Sequence, residues 1–199
     1  AGGARRRFTG GEGGCPGGGR GGARRLCGRG TGCARVSIPR GEVATLRIMG
    51  PGQYFGELAV ISPAPRSATI AALAATETLA LHSDQISRIR RQNPEVERVL
   101  LQAVVGEVRR LSAALLDAMY VPVGTRLARQ LSGLASLYPA DSHGRVVIPL
   151  TQDDLAGLCG TTRPTINQLL RKLADRKLLT VERGLVILTD LPGLARRTS

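Results

Sequence analysis

Residues 151–188 read TQDDLAGLCGTTRPTINQLLRKLADRKLLTVERGLVIL, and this stretch decides the fold of the C-terminal third. Thr151 followed three residues on by Asp154 is a capping-box-like start, and it opens a helix from Gln152 to Leu158 with Leu155 and Leu158 facing inward. Cys159-Gly160-Thr161 reads as a tight turn. Thr162 caps a second helix, Arg163 to Arg176, where Pro164 is tolerated because it lies in the first turn. Ile166, Leu169, Leu170 and Leu173 make its buried face. Two strands, Leu179 to Glu182 and Leu185 to Leu188, flank Arg183-Gly184. Helix, turn, helix and hairpin in this order and length make a winged helix-turn-helix.

The outward side of the second helix carries Arg163, Thr165, Asn167, Gln168, Arg171 and Lys172. These side chains suit base edges and phosphates: Arg bidentate to guanine, Asn or Gln to adenine, Lys and a second Arg to the backbone. Thr151 and Thr162 at the two helix starts and Arg183 on the hairpin complete the candidate DNA-binding set. The plain alternative is a solvated helix face. Charge favours the first reading, because of where it sits. The formal charge is +13, made up of +8 in residues 1–40, 0 in residues 41–121 and +5 in residues 122–199. A neutral middle and a basic end place the polyanion-binding element after Tyr120.

Upstream the chain changes character twice. Residues 1–33 hold 14 Gly, seven Arg and three Cys with almost nothing to bury, so disorder is expected there. Such a tract is also an RNA-binding tail composition, and it is the composition a shifted reading frame gives in a GC-rich gene. From Ala34 short apolar runs separated by Pro39-Arg40-Gly41 and Gly50-Pro51-Gly52 read as strands, followed by a further strand from Thr76 to Leu81. Helical periodicity sets in near Ser83 and breaks at Asn93-Pro94. A long helix then runs to about Met119 with Val96, Leu100, Val104, Val108, Leu111, Leu115 and Ala118 on one stripe. A stripe of that length pairs most simply with its own copy in a homodimer, and packing onto its own domain is not exclusive of this. Pro122 opens another helix to about Tyr138, and a strand follows from Arg145 to Pro149.

Between these lies Phe55-Gly56-Glu57-Leu58-Ala59, followed after a short gap by Pro65-Arg66-Ser67-Ala68-Thr69. A cyclic nucleotide offers one anionic phosphodiester and one ribose hydroxyl, which call for backbone N–H donors, an Arg and a carboxylate. Gly56 admits close backbone approach, and Glu57 and Arg66 reach the two polar groups from opposite ends of one loop. The segment resembles the phosphate-binding cassette of cyclic-nucleotide-binding domains, and residues 121–188 resemble the DNA-binding domain of the Crp/Fnr family of transcription regulators.

The resemblance implies an α+β fold: a partial cyclic-nucleotide-binding β-barrel (jelly roll), a long dimerisation helix and a C-terminal winged helix-turn-helix. It divides the chain into a disordered segment (1–33), a partial nucleotide-binding domain (34–92), a dimerisation helix (93–120) and a DNA-binding domain (121–199). Glu57 would hold the ribose and Arg66 and Ser67 the phosphate, with backbone contacts from Gly56 and Leu58. Two hydroxyl residues of the family's dimer helix contact adenine; the matching positions here are Leu111 and Ser112, so Ser112 alone keeps that role. Pro164 replaces a base-reading Glu, so the family's operator sequence does not carry over. The implied effector is cAMP or a related cyclic nucleotide, with a member that has lost or changed its ligand as the alternative. The implied partners are double-stranded DNA, a second copy of the chain and RNA polymerase. The family's barrel has strands before Ala34 that the Gly/Arg segment is not expected to supply, leaving exposed sheet edges.

No apolar run spans a bilayer, no secretory pattern is read, and a cytoplasmic protein without membrane contact is expected. Cys15, Cys27, Cys33 and Cys159 show no C-x-x-C pairing, so neither a disulfide framework nor a metal site is expected. No nucleophile–base pair argues for an enzyme. His82 and His143 are isolated and receive no role.

Overall fold

The structure is a computed structural model that describes residues 4–9, 13–15, 23–37, 43–56 and 68–198. Its first part is built from strands β1 (Ala4–Phe8), β2 (Gly13–Cys15), β3 (Ala23–Arg29), β4 (Gly32–Ser37), β5 (Val43–Met49), β6 (Tyr54–Phe55), β7 (Thr69–Ala72) and β8 (Thr76–His82). Helices α1 (Ser83–Gln92) and α2 (Glu95–Tyr120) follow. The last part comprises α3 (Val123–Ala135), β9 (Val146–Ile148), α4 (Gln152–Cys159), α5 (Arg163–Asp175), β10 (Leu179–Glu182), β11 (Leu185–Leu188) and α6 (Leu191–Ala195). Two compact units result: Ala1–Ala34 with Met49–Leu116, and Arg35–Ile48 with Asp117–Ser199.

The strands of the first part form two four-stranded sheets, in the orders β1-β8-β3-β6 and β2-β7-β4-β5. In the described parts of residues 1–33, where composition led us to expect disorder, the chain runs as strands. β1 pairs antiparallel with β8 from Ala4 opposite Ala80 to Phe8 opposite Thr76, and β3 sits inside the sheet between β8 and β6. The physical reason is that a strand is secured by backbone pairing, whose N–H and C=O groups Gly and Arg carry like any residue but proline, Gly at an entropic cost. The side chains then sort themselves: Arg5, Arg6 and Arg7 are exposed, Cys27 and Cys33 are buried, and Phe8 is half-buried. Arg7 Nε donates to Glu77 Oε1 on β8 (2.6 Å), and the Arg25 guanidinium lies 5.8 Å from the Phe8 ring centroid. β1, β2 and β3 occupy sheet positions beside the later strands, and with the long helix and the C-terminal helix-turn-helix this is the expected α+β fold. Met49 and Phe55 form the buried centre here, with Ala34 and Ile70 packed against them.

Over α2 the expected stripe divides. Leu100 is buried and Val96 and Val104 half-buried, whereas Val108, Leu111 and Leu115 are exposed. Leu101, Val105 and Met119 are exposed too. Counted with Val108, Ser112 and Leu115, these fall at alternating steps of four and three along the helix, a column that shares Val108 and Leu115 with the one read in the sequence.

In the C-terminal unit large aliphatic side chains do the packing. Leu127, Leu131, Ile148, Leu150, Leu155, Ile166, Leu170, Leu179, Leu188 and Leu194 are each at most 1 % exposed. β9, β11 and β10 form a three-stranded antiparallel sheet beside the helices, with Val186 opposite Ile148 and Glu182 opposite Leu185. The turn between α4 and α5 is closed by Gly160 in the left-handed region (φ 58°), a conformation open to glycine, while Thr161 N donates to Ala156 O (3.0 Å). No helix among the described residues is long and apolar enough to cross a membrane.

Candidate functional site

The N-terminus of α4 is built around Asp154. Thr151 N and Thr151 Oγ1 both donate to Asp154 Oδ2 (3.1 and 2.7 Å), and Asp154 N donates back to Thr151 Oγ1 (3.1 Å), which completes the expected capping box. Burial pushes the Asp154 carboxyl up, but the hydroxyl and N–H of Thr151 and the Arg35 guanidinium outweigh it and hold the group below the usual carboxylate range. The other end of α4 is held by Arg126 of α3. Its Nε donates to Cys159 O (3.0 Å), and its Nη1 donates to Asp117 O, Ala118 O and Val121 O (3.1, 2.9 and 3.0 Å). Helix α2 has no basic residue in its own last turn, so Arg126 supplies the cation that its C-terminal carbonyls favour. Burial, opposed by Arg126, pushes the Cys159 thiol up to about 12, so it stays protonated at neutral pH.

Helix α5 is amphipathic in the expected sense. Ile166, Leu170 and Leu173 are buried, and Leu169 is half-buried. Arg163, Gln168, Arg171 and Lys172 are exposed, and Thr165 and Asn167 are half-buried. Thr162 stands at the N-cap, but its hydroxyl bonds the Thr165 hydroxyl (3.0 Å) and makes no side-chain cap bond, so its expected capping role holds in position only. Arg163 lies 3.4 Å from Asp153 in an ion pair whose side chains are about two-thirds exposed, weak enough to yield to a stronger anion. Thr151, Asp153, Arg163 and Arg183 line one recess of about 500 Å³ between the start of α4 and the β10–β11 hairpin. The structure thus gathers Thr151, Arg163 and Arg183, with Arg171 and Lys172 further along the exposed face.

The residues expected to bind a ligand are described only in part. Gly56 has φ 82°, a backbone that suits glycine at the head of the cassette. Ser112 is exposed on α2. Glu57, Leu58, Arg66 and Ser67 lie outside the described residues. Cys27, Cys33 and Cys159 are buried and form no disulfide among the described residues, and the described residues contain no group of three or more His, Cys, Asp or Glu arranged to hold a metal. The contacts of Arg35 and Thr45 to Asp154 were not foreseen, since the partners are more than a hundred residues apart in sequence.

Paired sheets, a long helix and a winged helix-turn-helix follow one another along the chain, and the helix-turn-helix is the fold of a DNA-binding module. Family models agree on both parts: a cyclic nucleotide-binding domain matches residues 25–93 and a Crp-like helix-turn-helix domain matches residues 125–197. The chain is 32 % identical over 161 residues to a CRP-like cAMP-activated global transcriptional regulator of Mycobacterium tuberculosis, covering 80 % of this chain and 72 % of that protein. It is 28 % identical over 151 residues to a cyclic AMP receptor protein of Thermus thermophilus, covering 73 % and 65 % of the two chains. In fold it matches the crystal structure of a CRP-family transcriptional regulator, also from Thermus thermophilus, with a TM-score of 0.81, 24 % identity and coverage of 97 % and 96 %. The chain belongs to the Crp/Fnr family of transcription regulators.

Proposed function

We propose that this family member is a homodimeric, sequence-specific binder of double-stranded DNA, that cAMP is its effector, and that it works with RNA polymerase in the cytoplasm. The observation that carries the DNA reading is α5: three large aliphatic residues are buried on one face, and Arg163, Gln168, Arg171 and Lys172 are exposed on the other. In this reading Arg163, Asn167 and Gln168 read bases. Arg171, Lys172, Arg183 and the Thr151, Thr162 and Thr165 hydroxyls hold the backbone. The exposed apolar column Leu101, Val105, Val108, Leu115 and Met119 is the surface for the second copy.

For the effector, Glu57 takes the ribose hydroxyl, Arg66 and Ser67 take the phosphate, Gly56 and Leu58 give backbone contacts, and Ser112 faces the base. Two conformations of the DNA-binding helices then differ in affinity for the ligand, which shifts their populations. Calorimetry should show cAMP binding that is lost in Arg66→Ala and weakened about ten- to a hundredfold in Glu57→Ala, as expected for charge-assisted contacts. A chain that binds a selected duplex but ignores both cAMP and cyclic GMP would leave the regulator and remove this effector. Sedimentation should give a dimer at micromolar concentration, turned to monomer by Leu115→Glu. RNA that competes as well as duplex would favour the Arg/Gly tail reading instead.

A further inference from the structure

Thr151 and Asp154 close the capping box with one carboxylate oxygen, Oδ2. The second oxygen, Oδ1, is used by a distant part of the chain. Arg35 Nη2 donates to it (2.8 Å), and so does Thr45 Oγ1 (3.0 Å). Arg35 lies in β4 and Thr45 in β5, and both fall in the same compact unit as α4. Thr45 is 1 % and Asp154 5 % exposed, so their bond is shielded from water.

A carboxylate has about four lone-pair sites. Here four donors fill them: Thr151 N, Thr151 Oγ1, Arg35 Nη2 and Thr45 Oγ1. The helix start, Arg35 and Thr45 are therefore tied to one rigid group, and a change on one side is felt on the other. Gly157, one turn along α4, gives a second sign of close fit. A Cβ there would collide with the backbone nitrogen of Thr45 and come within 3.3 Å of Ala44 Cα. Backbone lies directly against backbone, and glycine is what permits it. With Arg35 and Thr45 bound to Asp154, Thr151, Arg163, Arg171 and Lys172 remain exposed, so the arrangement is compatible with a duplex on the recognition face.

We propose that Arg35 and Thr45 are positioning residues for the DNA contact made at the start of α4, setting the Thr151 hydroxyl and the first-turn N–H groups through the Asp154 carboxylate. The inference rests on the DNA-binding reading above. Phosphate contacts at a helix N-terminus depend on the direction of those N–H groups, so an unanchored Asp154 lets the start of α4 turn away from its phosphate. Because Arg35 belongs to β4 and Thr45 to β5, a shift of either residue is passed to the start of α4 through the Asp154 carboxylate.

The test uses the full chain and a labelled duplex that the wild-type chain selects from a random pool. Arg35→Ala should weaken the selected duplex about two- to thirtyfold, the usual size of coupling through a packed network, with Arg35→Lys restoring part of the loss. Thr45→Val should weaken it less, and Gly157→Ala should match Arg35→Ala. Adding Thr45→Val to Arg35→Ala should cost less than the two separate losses multiplied. The distinguishing readout is phosphate ethylation: modifying one phosphate per half-site weakens the wild-type complex but no longer matters in Arg35→Ala, while melting shows the fold intact. A direct phosphate contact by Arg35 would instead lower the salt slope by about one, and that result overturns the proposal. So does wild-type affinity in Arg35→Ala, Thr45→Val and Gly157→Ala alike. If the wild-type chain selects no duplex, the DNA-binding reading falls, and the inference with it.

Discussion

The two ends of this molecule hold themselves together differently. Of the largest fully buried side chains among the described residues, Met49 alone lies in the paired sheets, and the rest lie between Leu127 and Leu194. The sheets bury Cys27, Cys33, Ala71, Ala72 and Ala80. One region is fixed by interdigitated leucines and the other by ladders of backbone hydrogen bonds over a thin apolar filling. The first suits a rigid surface that must match a duplex. The second suits a sensor, because small buried side chains give less energy to any single arrangement of the strands.

Substitutions can break this contrast. Leu170→Ala removes a side chain that is 1 % exposed in the C-terminal core and should cost about 2–5 kcal/mol in chemical denaturation. Ala80→Gly in the sheet should cost only about 0.5–1 kcal/mol. Equal losses would mean that the sheets carry a comparable core. Next in size, Arg126→Ala strips the Asp117, Ala118, Val121 and Cys159 carbonyls of one shared donor and should cost about 1.5–3 kcal/mol, read from the same denaturation curves. A loss below about 0.5 kcal/mol would show that water replaces the guanidinium freely.

Acid sharpens the comparison further. Asp154 is held below the ordinary carboxylate range when folded, so its charge stabilises the native state at neutral pH. That contribution is complete above the unfolded Asp value of about 3.9 and is lost as pH falls through the lowered native value. Stability should therefore decline below about pH 4, and Asp154→Asn should flatten that limb. An unchanged acid limb in Asp154→Asn would place the titrating group elsewhere.

Legibility in the sequence follows the same division. The hairpin Leu179–Glu182 and Leu185–Leu188 matches its expected bounds, and the Thr151–Asp154 capping box was readable because its partners are three residues apart. Short-range patterns carry their own partners. β1 and β3 were missed because what secures them is β8, about fifty to seventy residues away, and no local alternation of apolar residues marks them. β6 and β7, two and four residues long, are too short to show a period. The α2 stripe divides into a buried start at Leu100 and an exposed run at Val108, Leu111 and Leu115, beside which Leu101, Val105 and Met119 also lie exposed, and spacing along one helix does not separate the two. The Arg35 and Thr45 contacts to Asp154 join residues that no spacing rule connects.

The central claim is that the exposed face of α5 reads duplex sequence, and the direct measurement is duplex affinity across a salt series for two single variants. Arg163→Ala should cost about 1–3 kcal/mol on a selected duplex and relax preference at one position per half-site. It should change random duplex little. Lys172→Ala should weaken both duplexes alike and reduce the salt slope by about one. Equal losses on selected and random duplex for Arg163→Ala would contradict base reading by α5.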